Sequence, residues 1–100
     1  MTLNVRQTAR EDILNAARFY EKQELGLGDR VADFLEKEIL SLLTTGGIHP
    51  FSQGLYRAVV KGDFPYYVIY YSLELDVIHV RAVLDHRRNP RKLSRRLREV

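Results

Sequence analysis

The chain has 100 residues, a formal net charge of +3, 45% hydrophobic and 29% charged residues, and no cysteine. Such a composition fits one ordinary globular domain over residues 1–100 and excludes a disulfide framework or a thiolate metal site. His49, His79 and His86 lack metal-ligand spacing, nothing approaches ~18 continuous apolar residues, and residues 1–7 carry no basic start with an apolar run. No metal, no cofactor and no membrane association are therefore expected, and the cytosol is the default location.

Leu3, Val5 and Gln7 alternate with polar neighbours, which predicts a short first strand. Thr8 and Glu11 have the spacing of a capping box, and Ile13, Ala16, Ala17 and Tyr20 follow as one helical stripe. Gly26 and Gly28 interrupt that helix. A second is predicted from about Gly28 to Leu43, with Val31, Phe34, Leu35, Ile39, Leu42 and Leu43 apolar and Gly46-Gly47 as its stop. Two short one-sided helices need a flat surface to pack on.

The loop Pro50–Gly54 leads into a predicted strand Leu55–Lys61, and Gly62-Asp63 turns into a central strand Phe64–Leu73. Glu74–Asp76 then turns into a last strand, Val77–Leu84. Alternation places Ile78, Val80, Ala82 and Leu84 on one face and His79, Arg81, Val83 and Asp85 on the other. Tyr56, Ala58 and Val60 oppose Arg57, Val59 and Lys61 in the same way. For the central strand, Tyr66, Val68 and Tyr70 are assigned inward and Tyr67, Ile69 and Tyr71 outward. The expected fold is α+β: a strand and helical hairpin on one face of a small antiparallel sheet, with the other face open and basic. Leu93, Leu97 and Val100 predict a short basic helix at the C-terminus.

Charge is distributed unevenly. Residues 1–80 carry eight Lys/Arg against eleven Asp/Glu, a balance of −3, whereas residues 81–100 carry eight against two, a balance of +6. A positive block that begins inside a strand points to an acidic partner. Arg57, Lys61 and Arg81 on the open face, with Arg87 and Arg88 at its end, could clamp phosphate or carboxylate groups. His86 has the ordinary titration range of a general acid or base. Tyr20, Tyr56, Tyr66 and Tyr70 fall on core stripes, leaving Tyr67 and Tyr71 as candidates for an exposed surface.

The segments Ala9–Tyr20, Leu55–Val59, Phe64–Tyr71 and Val83–Pro90 together resemble the RelE/ParE superfamily of bacterial type II toxins, often labelled plasmid stabilisation proteins. The resemblance covers nearly the whole chain. It implies a toxin neutralised by a cognate antitoxin, whose acidic amphipathic segment would suit the basic open face. ParE-like members inhibit DNA gyrase by binding, whereas RelE-like members cleave mRNA on the ribosome without a metal. In a RelE-like reading Arg57 and Arg87 would stabilise the scissile phosphate, with Arg81 assisting and His86 as acid or base. Val59 and Tyr67 stand where those ribonucleases tend to carry Lys and Arg, and residues 89–100 contain no tyrosine. The departures favour the ParE-like branch, with the ribosome-dependent endoribonuclease as the alternative. Arg57, Lys61, Tyr67, Arg81, Arg87, Arg88, Arg91 and Arg95 are then the expected surface for target or antitoxin. A member that retains only antitoxin pairing is a third reading.

Overall fold

The computed structural model describes residues 1–100 as β1 (Thr2–Val5), α1 (Gln7–Glu21), α2 (Leu27–Thr45), β2 (Phe51–Ser52), β3 (Leu55–Val59), β4 (Tyr67–Glu74), β5 (Val77–Asp85) and α3 (Pro90–Glu99). The five strands form one sheet in the order β1-β5-β4-β3-β2. Strands β2 to β5 are antiparallel neighbours, and β1 adds parallel to β5. That is the expected α+β architecture, with the sheet made mixed by its first strand. A parallel partner needs a crossover, and the helical hairpin together with the β2–β4 meander supplies it.

Helices α1 and α2 cover one face. The main core there holds Ala9, Ala16, Tyr20, Val31, Leu35, Ile39 and Leu42 against Ala58, Tyr67, Ile69, Tyr71, Ile78, Val80 and Val83. Leu43, assigned to the apolar stripe, is instead exposed. The buried stripe runs through Leu35, Ile39 and Leu42, and Leu43 falls beside it.

The hairpin joint depends on two glycines. Gly26 has φ +89°, the left-handed region that only glycine adopts without strain. A Cβ on Gly28 would lie 2.6 Å from the Ala17 carbonyl oxygen, so the two helices could not approach as they do. The Glu21 carboxylate accepts from the Gly26 and Gly28 amides at 3.0 and 2.9 Å. It thereby satisfies amides at the start of α2 that have no intrahelical partner. Those two backbone bonds hold the Glu21 carboxyl below its ordinary range.

The Thr8–Glu11 capping box does not form. Gln7 is already helical, Arg6 is the N-cap residue, and no side chain caps the helix. The Thr8 hydroxyl donates to the Arg81 carbonyl instead. β1 ends at Val5, while β5 continues beyond Val80 with an uncovered edge. Thr8 takes the Arg81 carbonyl, and Asp12 accepts from the Val83 amide at 3.0 Å. One face of α1 thus continues the hydrogen bonding that β1 leaves unfinished.

A β-bulge corrects the facing deduced from alternation. Tyr70 pairs with Ala82, but Tyr71 pairs with Val80, leaving Arg81 as the extra residue. Ile78 and Val80 face the helices as expected. Ala82 and Leu84 lie on the opposite face, and Val83 turns inward. In β4, Tyr67, Ile69 and Tyr71 point to the helices, whereas Val68 and Tyr70 point away, the reverse of the expected assignment. Tyr67 is only 3% exposed, while Tyr66, expected in the core, is 50% exposed before the strand begins. Tyr71 lies flat on Tyr56 with centroids 5.0 Å apart, and its hydroxyl meets the Gly47 amide and His49. Phe64 belongs to the turn before β4 and packs edge-on to Tyr20.

Two further segments differ from the sequence reading. The Pro50–Gly54 loop contains the two-residue strand β2, with Gln53 and Gly54 at positive φ in the turn to β3. β3 itself ends at Val59, so Lys61 lies outside it. The β4–β5 turn falls at Leu75-Asp76, as expected, and both residues have positive φ (50° and 64°).

Candidate functional site at the C-terminal face

The second face of the sheet is not bare. α3 lies on it, placing Leu93, Leu97 and Val100 against Val68, Tyr70, Ala82 and Leu84, with Leu55 at the margin. Asn89 caps the helix by accepting from the Arg91 amide at 2.8 Å, and Pro90 occupies its first turn. Ten residues would be a marginal helix in water, so the apolar contact and one ion pair hold it. In that pair Arg96 reaches both Asp12 oxygens at 2.6 Å. Burial raises the Asp12 carboxyl above its ordinary range; the Arg96 and Val83 hydrogen bonds only partly offset it.

At the exit of β5, alternation sends successive side chains to different sides. The Asp85 carboxylate receives the Arg87 amide and guanidinium, the shortest contact being 2.7 Å. Burial alone would raise the Asp85 carboxyl; the Arg87 hydrogen bonds and charge outweigh it and hold that group below its usual range. Arg87 also donates to the Tyr20 hydroxyl at 3.0 Å and stacks on the Tyr66 ring at 4.4 Å. These contacts fix Arg87 on the helical side.

His86 goes the other way. Its Nε2 lies 2.6 Å from the Tyr70 hydroxyl, and the two rings stack. The Arg57 guanidinium carbon stands 6.0 Å from the Tyr70 ring centre. Burial, and then the Arg57 charge, lower the His86 pKa, so the neutral imidazole is favoured near neutrality. In the tautomer protonated at Nδ1, Nε2 accepts the Tyr70 proton. Arg57, Tyr70 and His86 line one cleft together with Ser52, Leu93 and Ser94. This cleft brings a guanidinium, a phenol and an imidazole together.

The remaining expected residues divide clearly. Arg57 and Arg81 do share the outer face, but Arg81 is occupied by Ser72 at 3.0 Å and by Glu74 at 3.4 Å. Lys61 is exposed beyond the end of β3 and joins no cluster. Tyr67 is buried under the helices and cannot present a contact surface. Its burial also removes it from any comparison of outer-face residues, whereas Val59 does stand on that face, 58% exposed. Arg88, Arg91 and Arg95 are exposed and form no ion pair.

Asp12, Asp85 and Tyr70 are organising residues that the site reading passed over. For Asp12 the signal was present: it sits between Ala9 and Ala16 at helical spacing, a carboxylate within a buried stripe. Such a group needs a partner. No equivalent signal marked Tyr70, because β4 is buried on both sides and its alternation offers two apolar sets.

No helix is long and apolar enough to cross a membrane. No curated protein matches the sequence. Residues 3–90 match the family described as ParE toxin of type II toxin-antitoxin system, parDE. The match includes the strand β1, the helical hairpin and the whole meander through the β5 exit, and stops at the start of α3. The chain therefore belongs to the ParE toxin family of type II toxin–antitoxin systems, a membership that carries with it a cognate antitoxin.

Proposed function

We propose that the protein is a ParE-like toxin that inhibits DNA gyrase by binding it, and that its antitoxin lays an acidic amphipathic segment on the part of the outer sheet face that α3 leaves free, around Arg57 and Val59. The observation that carries this reading is the separation of the two arginines a nuclease would need together. Arg57 stands on the outer face, whereas Arg87 is spent on Asp85, Tyr20 and Tyr66 at the helical side. Phosphoryl chemistry needs charge donors that converge on one oxygen. Arg81, the assisting cation, is likewise committed to Ser72 and Glu74. What remains is exposed charge on a folded scaffold, which suits binding. For the antitoxin segment, Val59 offers an apolar contact beside the unpaired Arg57. Purified toxin is expected to abolish gyrase supercoiling, and added antitoxin to restore it. Supercoiling that continues at excess toxin would refute the proposal.

A RelE-like ribonuclease is the second reading, supported by the convergence of Arg57, Tyr70 and His86 on one cleft. A neutral His86 bonded to a phenol could serve as the base, and Tyr70 supplies the phenol that the C-terminal segment lacks. This reading expects discrete cuts in translated mRNA by primer extension, lost in His86→Ala and Arg57→Ala. Uncut mRNA in a translation reaction arrested by nothing else would remove it.

A further inference from the structure

The outer side of α3 has no role in the fold. Its apolar stripe, Leu93, Leu97 and Val100, faces the sheet. At 100° per residue, Arg91, Arg95 and Arg98 fall within a wedge of about 60° on the opposite side, spread over about 10 Å along the axis. All three are exposed and none has an ion-pair partner; with Ser94 they line a shallow cleft that contains no apolar side chain except Pro90. Arg88, at the approach to the helix, is also exposed and unpaired.

Arg96 and Arg98 suit the dipole in the last turn, but the first turn opposes the helix's own stability. Arg91 and Lys92 sit in the first turn, where the backbone dipole disfavours cations, and no acidic residue stands there. Arg91 and Arg95, and Lys92 and Arg96, are like charges at the i,i+4 spacing that repels. Arg96 is compensated by Asp12, but the Arg91–Arg95 repulsion and the first-turn cations have no compensating contact, and rules broken in that way mark a functional surface. A polyanion laid along the stripe would relieve both penalties.

We infer that the outer face of α3 binds the phosphate backbone of duplex DNA without reading its sequence. The chemistry of the stripe decides among polyanions. An acidic protein partner would need apolar anchors at the centre of its interface, and the stripe offers none. Single-stranded nucleic acid would need exposed aromatic platforms beside the cations. The exposed Tyr66 is already covered by Arg87, and α3 itself has no aromatic residue. Arginine can read guanine, but the stripe carries no Asn, Gln or acidic side chain to distinguish the other bases, so its contacts fall to the backbone. Guanidinium groups in a row, with a serine hydroxyl between them, suit phosphates. The inference goes beyond gyrase binding and is measured without gyrase, so the two readings fail independently.

The test is fluorescence anisotropy of the purified toxin with a labelled mixed-sequence DNA duplex, repeated across salt concentrations. Three phosphate contacts predict a slope of log affinity against log salt of about −2.7, a loss of about 40-fold between 50 and 200 mM salt. Replacing Arg91, Arg95 and Arg98 by alanine should flatten that slope and weaken low-salt binding at least tenfold. Replacing the same three by lysine should preserve both. Circular dichroism and the urea midpoint of the alanine variant should match or exceed the parent's, since like-charge repulsion is removed. No binding at low salt, equal binding by the alanine variant, or tighter binding of single-stranded RNA or poly-glutamate than of the duplex would overturn the inference.

Discussion

The two faces of one sheet are held in different ways. Toward the helical hairpin, sixteen buried residues from five elements and the β3–β4 connection form a single core, with Leu35, Tyr71, Val31 and Ile78 fully enclosed. Toward α3, the only buried apolar residues are Val68, Tyr70, Ala82 and Leu84, under partly covered Leu93 and Leu97 of a ten-residue helix and Val100 just beyond it. The first face is fixed by packing from many directions. The second rests on one amphipathic helix and one ion pair. Stability therefore resides on the hairpin side, while exposed charge and the cleft chemistry gather on the α3 side. The arrangement agrees with the general tendency of binding surfaces to occupy the less stable part of a fold.

The largest expected effect tests the strong face. Leu35→Ala should destabilise the protein by about 2–5 kcal/mol and unfold a substantial fraction of it, read by urea denaturation. A loss below about 1 kcal/mol would mean that the hairpin core is looser than described. Asp12 joins the two faces through α1. Asp12→Ala leaves the Val83 amide unpaired and releases Arg96, at a cost of about 2–3 kcal/mol. Asp12→Asn keeps an acceptor for one of these groups and should be markedly milder. Equal losses in the two variants would argue that the carboxylate's charge, rather than its hydrogen bonding, holds the junction.

Gly28→Ala should cost about 1–3 kcal/mol, because its Cβ meets a backbone oxygen that cannot swing aside. On the weak face, Leu97→Ala should cost about 1 kcal/mol and selectively hasten amide exchange in α3 while leaving β4 protected. Uniform acceleration would show that α3 is part of the main cooperative unit.

Acid should weaken both faces modestly. His49 and His86 each have a folded pKa lowered from 6.5, first by burial. The unfolded chain then takes up protons more readily, so stability is complete above 6.5 and falls as pH drops through that value toward the folded pKa. Asp85, held low by Arg87, adds stability above 3.8 that disappears only as pH falls through its lower folded value. Asp12 works in the opposite sense: its raised pKa makes its charge a burden that protonation removes. The urea midpoint should thus decline between about pH 7.5 and 5.5, and decline less in His86→Ala. The smallest effect concerns the β4–β5 turn. Leu75 is 98% exposed at φ 50°, and Leu75→Asn should gain about 0.5–1 kcal/mol by fitting that conformation better.

Periodicity in the sequence carried the element order, the helical hairpin and its stripe, the meander and the C-terminal helix. Those patterns are local and repeat over several turns. The facing of β4 was not legible, because a strand buried on both sides alternates between two apolar sets. Nor was the bulge: Arg81 looks like any strand residue, and the extra backbone unit is defined only by the partner across the ladder. That single residue reverses Ala82, Val83 and Leu84, and with them the surroundings of Tyr70 and His86. Thr8 was misread for a related reason. Its spacing to Glu11 satisfies a local rule, but the exposed edge of β5 is a stronger claimant. Of the expected site residues, Arg57, His86, Arg91 and Arg95 emerge on or beside the α3 face, whereas Arg88 lies beside Asp12 and Asn15 of α1. Tyr67 is buried, and Arg87 is tied down by an aspartate that sequence reading had placed among the outward residues.

The central claim is that the toxin acts by occupying its target rather than by turning over a substrate. Titrating purified toxin into a fixed amount of gyrase and measuring supercoiling rate separates these outcomes. A binding toxin predicts a stoichiometric loss of activity, with the residual rate falling in proportion to toxin until the gyrase is saturated. Undiminished supercoiling at saturation, accompanied by mRNA cleavage at toxin levels far below those of the ribosomes present, would contradict the account.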